Sequence, residues 1–231
     1  FFAIIGAMAS LSSAWAGKSL SFDGSGDTVA TSVTIDLDDA LSISVWVKVA
    51  SVTTNNYAIL GATTSNRDYW ILLPRTNTNG LTLQHRRNTD SGGSMSTTPS
   101  QNISANTWTH VVVAKSSGST VKIYQNNLKI TEESLSYTGY TPTQLYVGNQ
   151  GDNANWLNGK IDEAAVWNLE LSASEVTALY NSGSGASALT IQSGGLQSYW
   201  KFDAVSGSTA TDSSGNNRHG TITNAVESTD V

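Results

Sequence analysis

LSISVWVKV (Leu41–Val49) alternates residue by residue: Leu41, Ile43, Val45, Val47 and Val49 fall on one side, and Ser42, Ser44, Trp46 and Lys48 on the other. A period of two belongs to a β-strand with one face in a core, and here the opposite face carries a tryptophan. Working outward, short runs bounded by Gly, Asn, Asp and Ser recur at 69–73, 81–86, 107–114, 120–125, 144–148 and 160–167. Many such runs in one chain predict an all-β sandwich. Residues 107–114 and 120–125, joined by a Gly-containing turn, read as a hairpin, and Asn126-Asn127 turns the chain into 128–130.

Composition agrees with that reading. With 231 residues, 39% of them hydrophobic, and seven Trp, the chain supplies one large core more naturally than two small ones. Charged residues make up 13%, against roughly 25% in an average globular protein, and Ser, Thr, Asn and Gly fill the gap. Thr favours strands and Asn and Gly favour tight turns, so such a surface suits exposed sheets. A net charge of −6 with scattered basic residues argues against nucleic acid as a partner. The absence of Cys removes disulfides, thiolate metal sites and a Cys nucleophile together.

One helix is predicted after the N-terminal segment, over 173–181: Ser172 is the N-cap, Glu175 completes a capping box, Val176, Leu179 and Tyr180 form a stripe, and Gly183 can end it. A Ser/Gly/Ala-rich connection follows, and 196–203 begins another strand.

Residues 1–16, FFAIIGAMASLSSAWA, are uncharged and predict a separate apolar helix. Its length of roughly 24 Å falls short of the ~30 Å hydrocarbon core of a bilayer. Two readings stay open. Ala14-Trp15-Ala16 has the small-x-small form of a signal-peptidase site before Gly17. Alternatively, a chain opening at Phe1 with a retained apolar stretch resembles the processed end of a pilin-type subunit. Ile5 then stands where bacterial type IV pilins carry a glutamate, and Ala3, Gly6, Ala7, Ala9 and Ser10 would let helices approach closely. Both readings place the domain extracellularly or on a surface, and the second makes copies of the chain its partners through residues 1–16.

Five segments, in order, carry a wider resemblance: SLSFDGSGDTV (19–29), LSISVWVKV, NTWTHVVVAKSSGSTVKIYQNN (106–127), LYVGNQ (145–150) and LNGKIDEAAVWNLELSASEVTALYNSG (157–183). In these the chain resembles the laminin G-like/concanavalin A-like superfamily, in its bacterial and viral branch related to pentraxins. The resemblance implies a jelly-roll sandwich of two antiparallel sheets over 17–231, with one concave face. SYWKFDAVSGSTATDSSGNNRHGTI (198–222) looks like the motif that often opens such a domain. Residues 196–231 are too few for a second core, so they are expected to close the same sandwich.

Glucanases of this fold use paired carboxylates on one strand face, roughly 5–5.5 Å apart for retention. Asp162-Glu163 is the adjacent pair in a matching strand, and strand neighbours point to opposite faces. Glu132-Glu133 and Asp38-Asp39 read as turn charges, and His85, His110 and His219 fall in no metal or triad pattern. No catalytic residue is therefore expected.

The resemblance implies a structural Ca²⁺ held by Asp23, Asp27 and Asp162, carboxylates being the hard ligands it needs; the other reading of Asp23 and Asp27 is Asx-type turn bonding. Ligand recognition would fall to Trp156 with Asn153, Asn155 and Asn158, and to Trp70 with His85, Arg86 and Arg87. Each group sets an aromatic platform beside amide or guanidinium donors, as sugars favour, and the alternative for Trp156 is core or edge packing. Trp46, Trp108, Trp167 and Trp200 are expected in the core. The functional expectation is a non-catalytic structural or adhesive subunit displayed on a filament, envelope or virion. A secreted carbohydrate-binding module is the alternative, and a glycoside hydrolase the third reading.

Overall fold

The alternation of Leu41–Val49 becomes the centre of a sandwich. The computed structural model describes residues 17–36, 38–52, 58–63, 69–74, 81–86, 93–96, 103–134, 143–151 and 155–231. The apolar helix expected over 1–16 lies outside the described residues. In chain order the strands begin with β1 (Ser19–Asp23), β2 (Thr28–Ile35), β3 (Leu41–Val49) and β4 (Leu60–Thr63). They continue with β5 (Tyr69–Pro74), β6 (Leu81–Arg86), β7 (Gly93–Ser96), β8 (Thr109–Lys115), β9 (Thr120–Gln125) and β10 (Leu128–Ser134). After β11 (Thr143–Val147) and β12 (Asn158–Trp167) comes α1 (Ala173–Tyr180), and then β13 (Leu196–Ser206), β14 (Thr209–Asp212), β15 (Gly220–Thr223) and β16 (Val226–Ser228).

The front layer runs β10-β9-β8-β3-β12, and the back layer β14-β15-β2-β11-β4-β5-β6-β7, all pairings being antiparallel. On the far edge of β12 two strands share the ladder, β1 beside residues 158–161 and β13 beside 164–167. Strand β13 then pairs with β14 and carries the chain from front to back. Because β13 pairs β12, β15 pairs β2 and β16 pairs β1, residues 196–231 lie within the ladders that residues 19–167 form.

Between the layers, Val45, Val47, Val111 and Ile161 meet Val29, Val33, Leu60, Leu83 and Val147 in the main apolar cluster. The outer face of the front layer is also partly covered, which the sequence pattern of β3 alone does not reveal. Val112, Ala165, Trp167 and Tyr199 pack beneath Leu171, Val176 and Leu179 in a second cluster. Ser42 takes part by accepting a 2.8 Å bond from the Leu171 N–H. Trp167 and Trp200 are fully buried and satisfied, donating to the carbonyls of Ile191 and Arg218 at 2.9 and 3.0 Å.

Helix α1 carries the expected capping box, the Ser172 N–H donating to Glu175 at 2.7 Å and the Glu175 N–H to Ser172 at 3.3 Å. It ends one residue before the expected limit, on Asn181 in the left-handed region (φ 45°), with Gly183 in the turn beyond. Glu132 and Glu133 differ from expectation too. They belong to edge strand β10, opposite Lys122 and Val121, so they are ladder residues and not turn charges. Gly148 fits its place for two reasons: its φ of +78° and a side chain there meeting the Phe22 ring at 2.2 Å.

Candidate functional site

Register arranges the outer face of the front layer in rows. The row nearest α1 is apolar, with Val112 opposite Ser44 and Ala165 opposite Tyr199. In the next row His110 pairs with Trp46, and Trp46 with Asp162. The last row sets Lys48 opposite Lys160, and Lys160 opposite Ser21 of β1. Neighbouring strands stand about 4.8 Å apart, so each row is a short strip of directly adjacent side chains.

In the middle row the Trp46 and His110 rings stack at 4.8 Å, and Tyr180 at the end of α1 closes over both at 5.9 and 6.1 Å. His110 Nε2 bonds the Ser44 hydroxyl at 2.8 Å, while Nδ1 has no partner among the described residues. Burial holds its pKa down to about 3, so the imidazole is neutral. This stack is a packing device.

The acids beside it break the expected alternation. The register of β12 shifts between Asp162 and Ala165, and Glu163 sits at φ +52°. This is a β-bulge, which turns consecutive residues away from simple up–down order. Both acids are buried, Asp162 at 1% and Glu163 at 6% exposure. Asp162 Oδ1 accepts the Glu163 N–H at 2.9 Å, whereas neither Glu163 oxygen has a hydrogen-bond partner among the described residues. Burial raises Asp162 to about 8 and Glu163 to about 9, with Lys201 opposing in part, so both hold protons at neutral pH. The opposite-faces argument therefore does not apply to this pair. Enclosure limits it instead, since a carboxyl acting on a glycosidic bond must touch it.

The last row opens to solvent. Lys48 donates to both carboxylate oxygens of Asp230 at 2.8 and 2.9 Å, and Lys160 also bonds this carboxylate. The two ammonium groups hold Asp230 down at a pKa of about 2. Around them is a cleft of about 190 Å³, further lined by Ser21, Phe22, Asn106 and Asn158. Nothing local in the sequence singles out these residues. Alternation puts Lys48 on the Trp46 face, but its pairing with Lys160 depends on register between distant strands.

The residues expected to bind sugar divide. Trp156 is half-buried in the loop leading into β12, two positions before Asn158 of the cleft. Asn155 beside it adopts φ +56°, donates to the Gln150 side chain, and accepts the Ala58 N–H at 2.8 Å through its carbonyl. Asn153 lies outside the described residues. Trp70 and His85 are direct register partners across β5 and β6, with Arg86 opposite Tyr69. Those strands lie two and three places beyond β11 in the back layer, so the backbone keeps them apart from the Lys48–Lys160 row in the front layer.

Asp23, Asp27 and Asp162 are likewise not brought together. Asp23 lies opposite Asn158, and Asp162 is four residues further along β12, about 13 Å at roughly 3.3 Å per residue. Asp27 accepts the Asp23 N–H at 2.7 Å, and Asp23 accepts the Ser25 N–H at 2.8 Å, the turn bonding of the alternative reading. Among the described residues no three acidic or histidine side chains are placed to share a metal ion, so the three do not fit one Ca²⁺ site. A cation-like role falls to Lys115. Its ammonium is bonded by the carbonyls of Asp39, Ser116 and Gly118 at 3.0, 2.9 and 2.8 Å, with Asp38 at 3.5 Å.

Comparison with known proteins agrees with the two-layer geometry. A family model described as the concanavalin A-like lectin/glucanases superfamily, Laminin_G_3, matches residues 23–177. The chain belongs to this superfamily. No curated protein sequence matches it. Among solved superfamily-like structures, a candidate carbohydrate binding protein from Bacteroides ovatus ATCC 8483 aligns with a TM-score of 0.66 at 17% identity over 91% of this chain. The chain spans 59% of that protein's length. The native heptameric SAP-like pentraxin of Limulus polyphemus aligns at 0.58 and 17% identity, covering 82% of this chain and 94% of the pentraxin. The CBM40 of a Ruminococcus gnavus IT-sialidase, bound to α2,3-sialyllactose, aligns at 0.51 and 16% identity over 67% of this chain and 95% of its own. At these identities the likeness concerns the fold.

Proposed function

We propose that this chain is a non-catalytic carbohydrate-binding domain that works outside the cytoplasm, and that glycans bind at the sandwich end holding the Lys48–Lys160 cleft and Trp156. The observation that carries the reading is the cleft itself, a polar hollow edged by Asn106, Asn158 and Ser21, with a half-exposed tryptophan two residues from its wall. Amides and hydroxyls meet sugar hydroxyls while an aromatic ring covers a sugar face. Two of the similar structures, the Bacteroides ovatus protein and the sialyllactose-bound CBM40, are carbohydrate-binding by description, which supports the same class. The enclosure of Asp162 and Glu163 supports binding without turnover.

The test is a glycan array probed with the full chain and with Trp156→Ala. Saturable binding to at least one glycan class, weakened tenfold or more in the variant, is expected. An array without hits, or hits indifferent to Trp156, would overturn the reading. Display on a filament, envelope or virion is a finer proposal, supported by the uncharged apolar residues 1–16. Light scattering of the full chain against the chain lacking 1–16 tests it: assemblies only with the segment support it, and monomers in both cases reject it.

A further inference from the structure

Lys48 and Lys160 face each other across β3 and β12 as direct register partners. Like charges directly opposite on one face destabilise a ladder, so the arrangement requires an anion between them. The structure supplies one from an unexpected place. Asp230 follows the three-residue edge strand β16, which among the described residues pairs only with β1. Its carboxylate bridges the two ammonium groups, one oxygen to Lys48 alone and the other to both lysines. The strap is also held by a 2.6 Å bond from Ser19 to the Asp230 carbonyl, by a 3.1 Å bond from the Asp230 N–H to Ser228, and through Glu227, which accepts from Lys18 at 2.6 Å and from the Val205 N–H at 2.9 Å.

Two further features distinguish this from a structural ion pair. The Asp230 side chain is 37% exposed and the lysines 21% and 26%, so solvent reaches the contact. Around the carboxylate stand Asn106, Asn158 and Ser21, polar side chains along the wall of the same cleft. A buried structural pair would have no use for an open hollow lined with amides and a hydroxyl. A carboxylate attached to a polyhydroxylated ring would use all of it.

We infer that Lys48 and Lys160 form the carboxylate subsite for an acidic sugar, a uronic or sialic acid residue, and that Asp230 occupies this subsite as an internal ligand which the sugar displaces. The inference rests on the carbohydrate-binding reading and adds the ligand class and a self-blocking strap. Exchange at the site is carboxylate for carboxylate, and no covalent bond is made or broken.

The experiment is calorimetric titration of the full chain and of Asp230→Asn with sodium glucuronate, N-acetylneuraminic acid, glucose and N-acetylaspartate amide. Circular dichroism and thermal melting verify that each variant is folded. Opening the subsite should strengthen binding of one acidic sugar at least tenfold in Asp230→Asn, with glucose inert, and Lys48→Met or Lys160→Met should abolish it. Should Asp230→Asn not fold, millimolar NMR titration of the natural chain decides, since an acidic sugar must shift the amides of residues 48, 160 and 230 together. A folded Asp230→Asn that binds no acidic sugar overturns the inference, and N-acetylaspartate amide binding as well as the sugars overturns the glycan assignment. Array binding of neutral glycans through Trp156 would persist in either case, so the two proposals fail separately.

Discussion

Replacing Glu163 by Gln should stabilise the protein at neutral pH. The carboxyl is buried on the β12 bulge with no hydrogen-bond partner among the described residues, next to a second buried acid. Its pKa in the fold is about 9 against an ordinary 4.5. The folded chain therefore binds a proton that the unfolded chain releases above pH 4.5. Stability is full below that value and is lost progressively as pH rises toward 9, by about 1.4 kcal/mol per pH unit. At pH 7, 2.5 units above the ordinary value of 4.5, the accumulated cost is about 3.4 kcal/mol. Gln keeps the shape and does not titrate, and its unpaired amide costs much the same as a buried neutral carboxyl. The expected gain is thus about 3 kcal/mol at pH 7, shrinking toward zero near pH 4.5. Urea unfolding followed by Trp fluorescence measures it, best between pH 7.5 and 8, where His110 is essentially neutral in both states. Natural stability should fall across this window and Glu163→Gln should fall less steeply by about 1.4 kcal/mol per unit. A natural protein whose stability is flat or rising there, or a variant with an unchanged slope, would refute the account of the bulge.

Three further outcomes are expected. The His110 imidazole, buried against Trp46 and Tyr180 with a pKa near 3, should remain neutral to below pH 4 by NMR; titration near 6.5 would show an open ring. Its sign is opposite to that of Glu163, because a base kept neutral by burial costs stability as pH falls below 6.5, by about 1.4 kcal/mol per unit. Gly148→Ala should lower stability by about 2 kcal/mol or more in urea unfolding, from the positive φ and the clash with Phe22; a neutral effect would mean the loop shifts freely. Lys115→Met should cost about 1–3 kcal/mol by removing the buried ammonium that the partly exposed carbonyls of the 38–39 and 116–118 turns share; an unchanged melting temperature would show that water replaces the ammonium.

What could be read from the sequence follows the range of the interactions involved. Leu41–Val49 and residues 81–86 match their strands end for end, because a two-residue period is a local property. The Ser172–Glu175 capping box spans only a few residues and is found as read. Asp162-Glu163 departs from the alternation for an equally specific reason: alternation presumes a regular ladder, and a bulge depends on the strand opposite. Asp23, Asp27 and Asp162 failed as a group because β1 pairs with β12 in a register that sets Asp23 against Asn158. The Lys48–Lys160–Asp230 contact was invisible, since it joins three segments far apart in the chain. Trp156 could be picked out as an aromatic beside asparagines, while its closeness along the chain to a cleft wall needed the structure.

Affinity electrophoresis tests the central claim most directly. The full chain is run through native gels containing soluble neutral or acidic polysaccharides, beside Trp156→Ala and a non-binding marker protein. The account predicts retardation of the natural chain by at least one polysaccharide and recovery of mobility in the variant. Equal mobility of both proteins in every gel would contradict it.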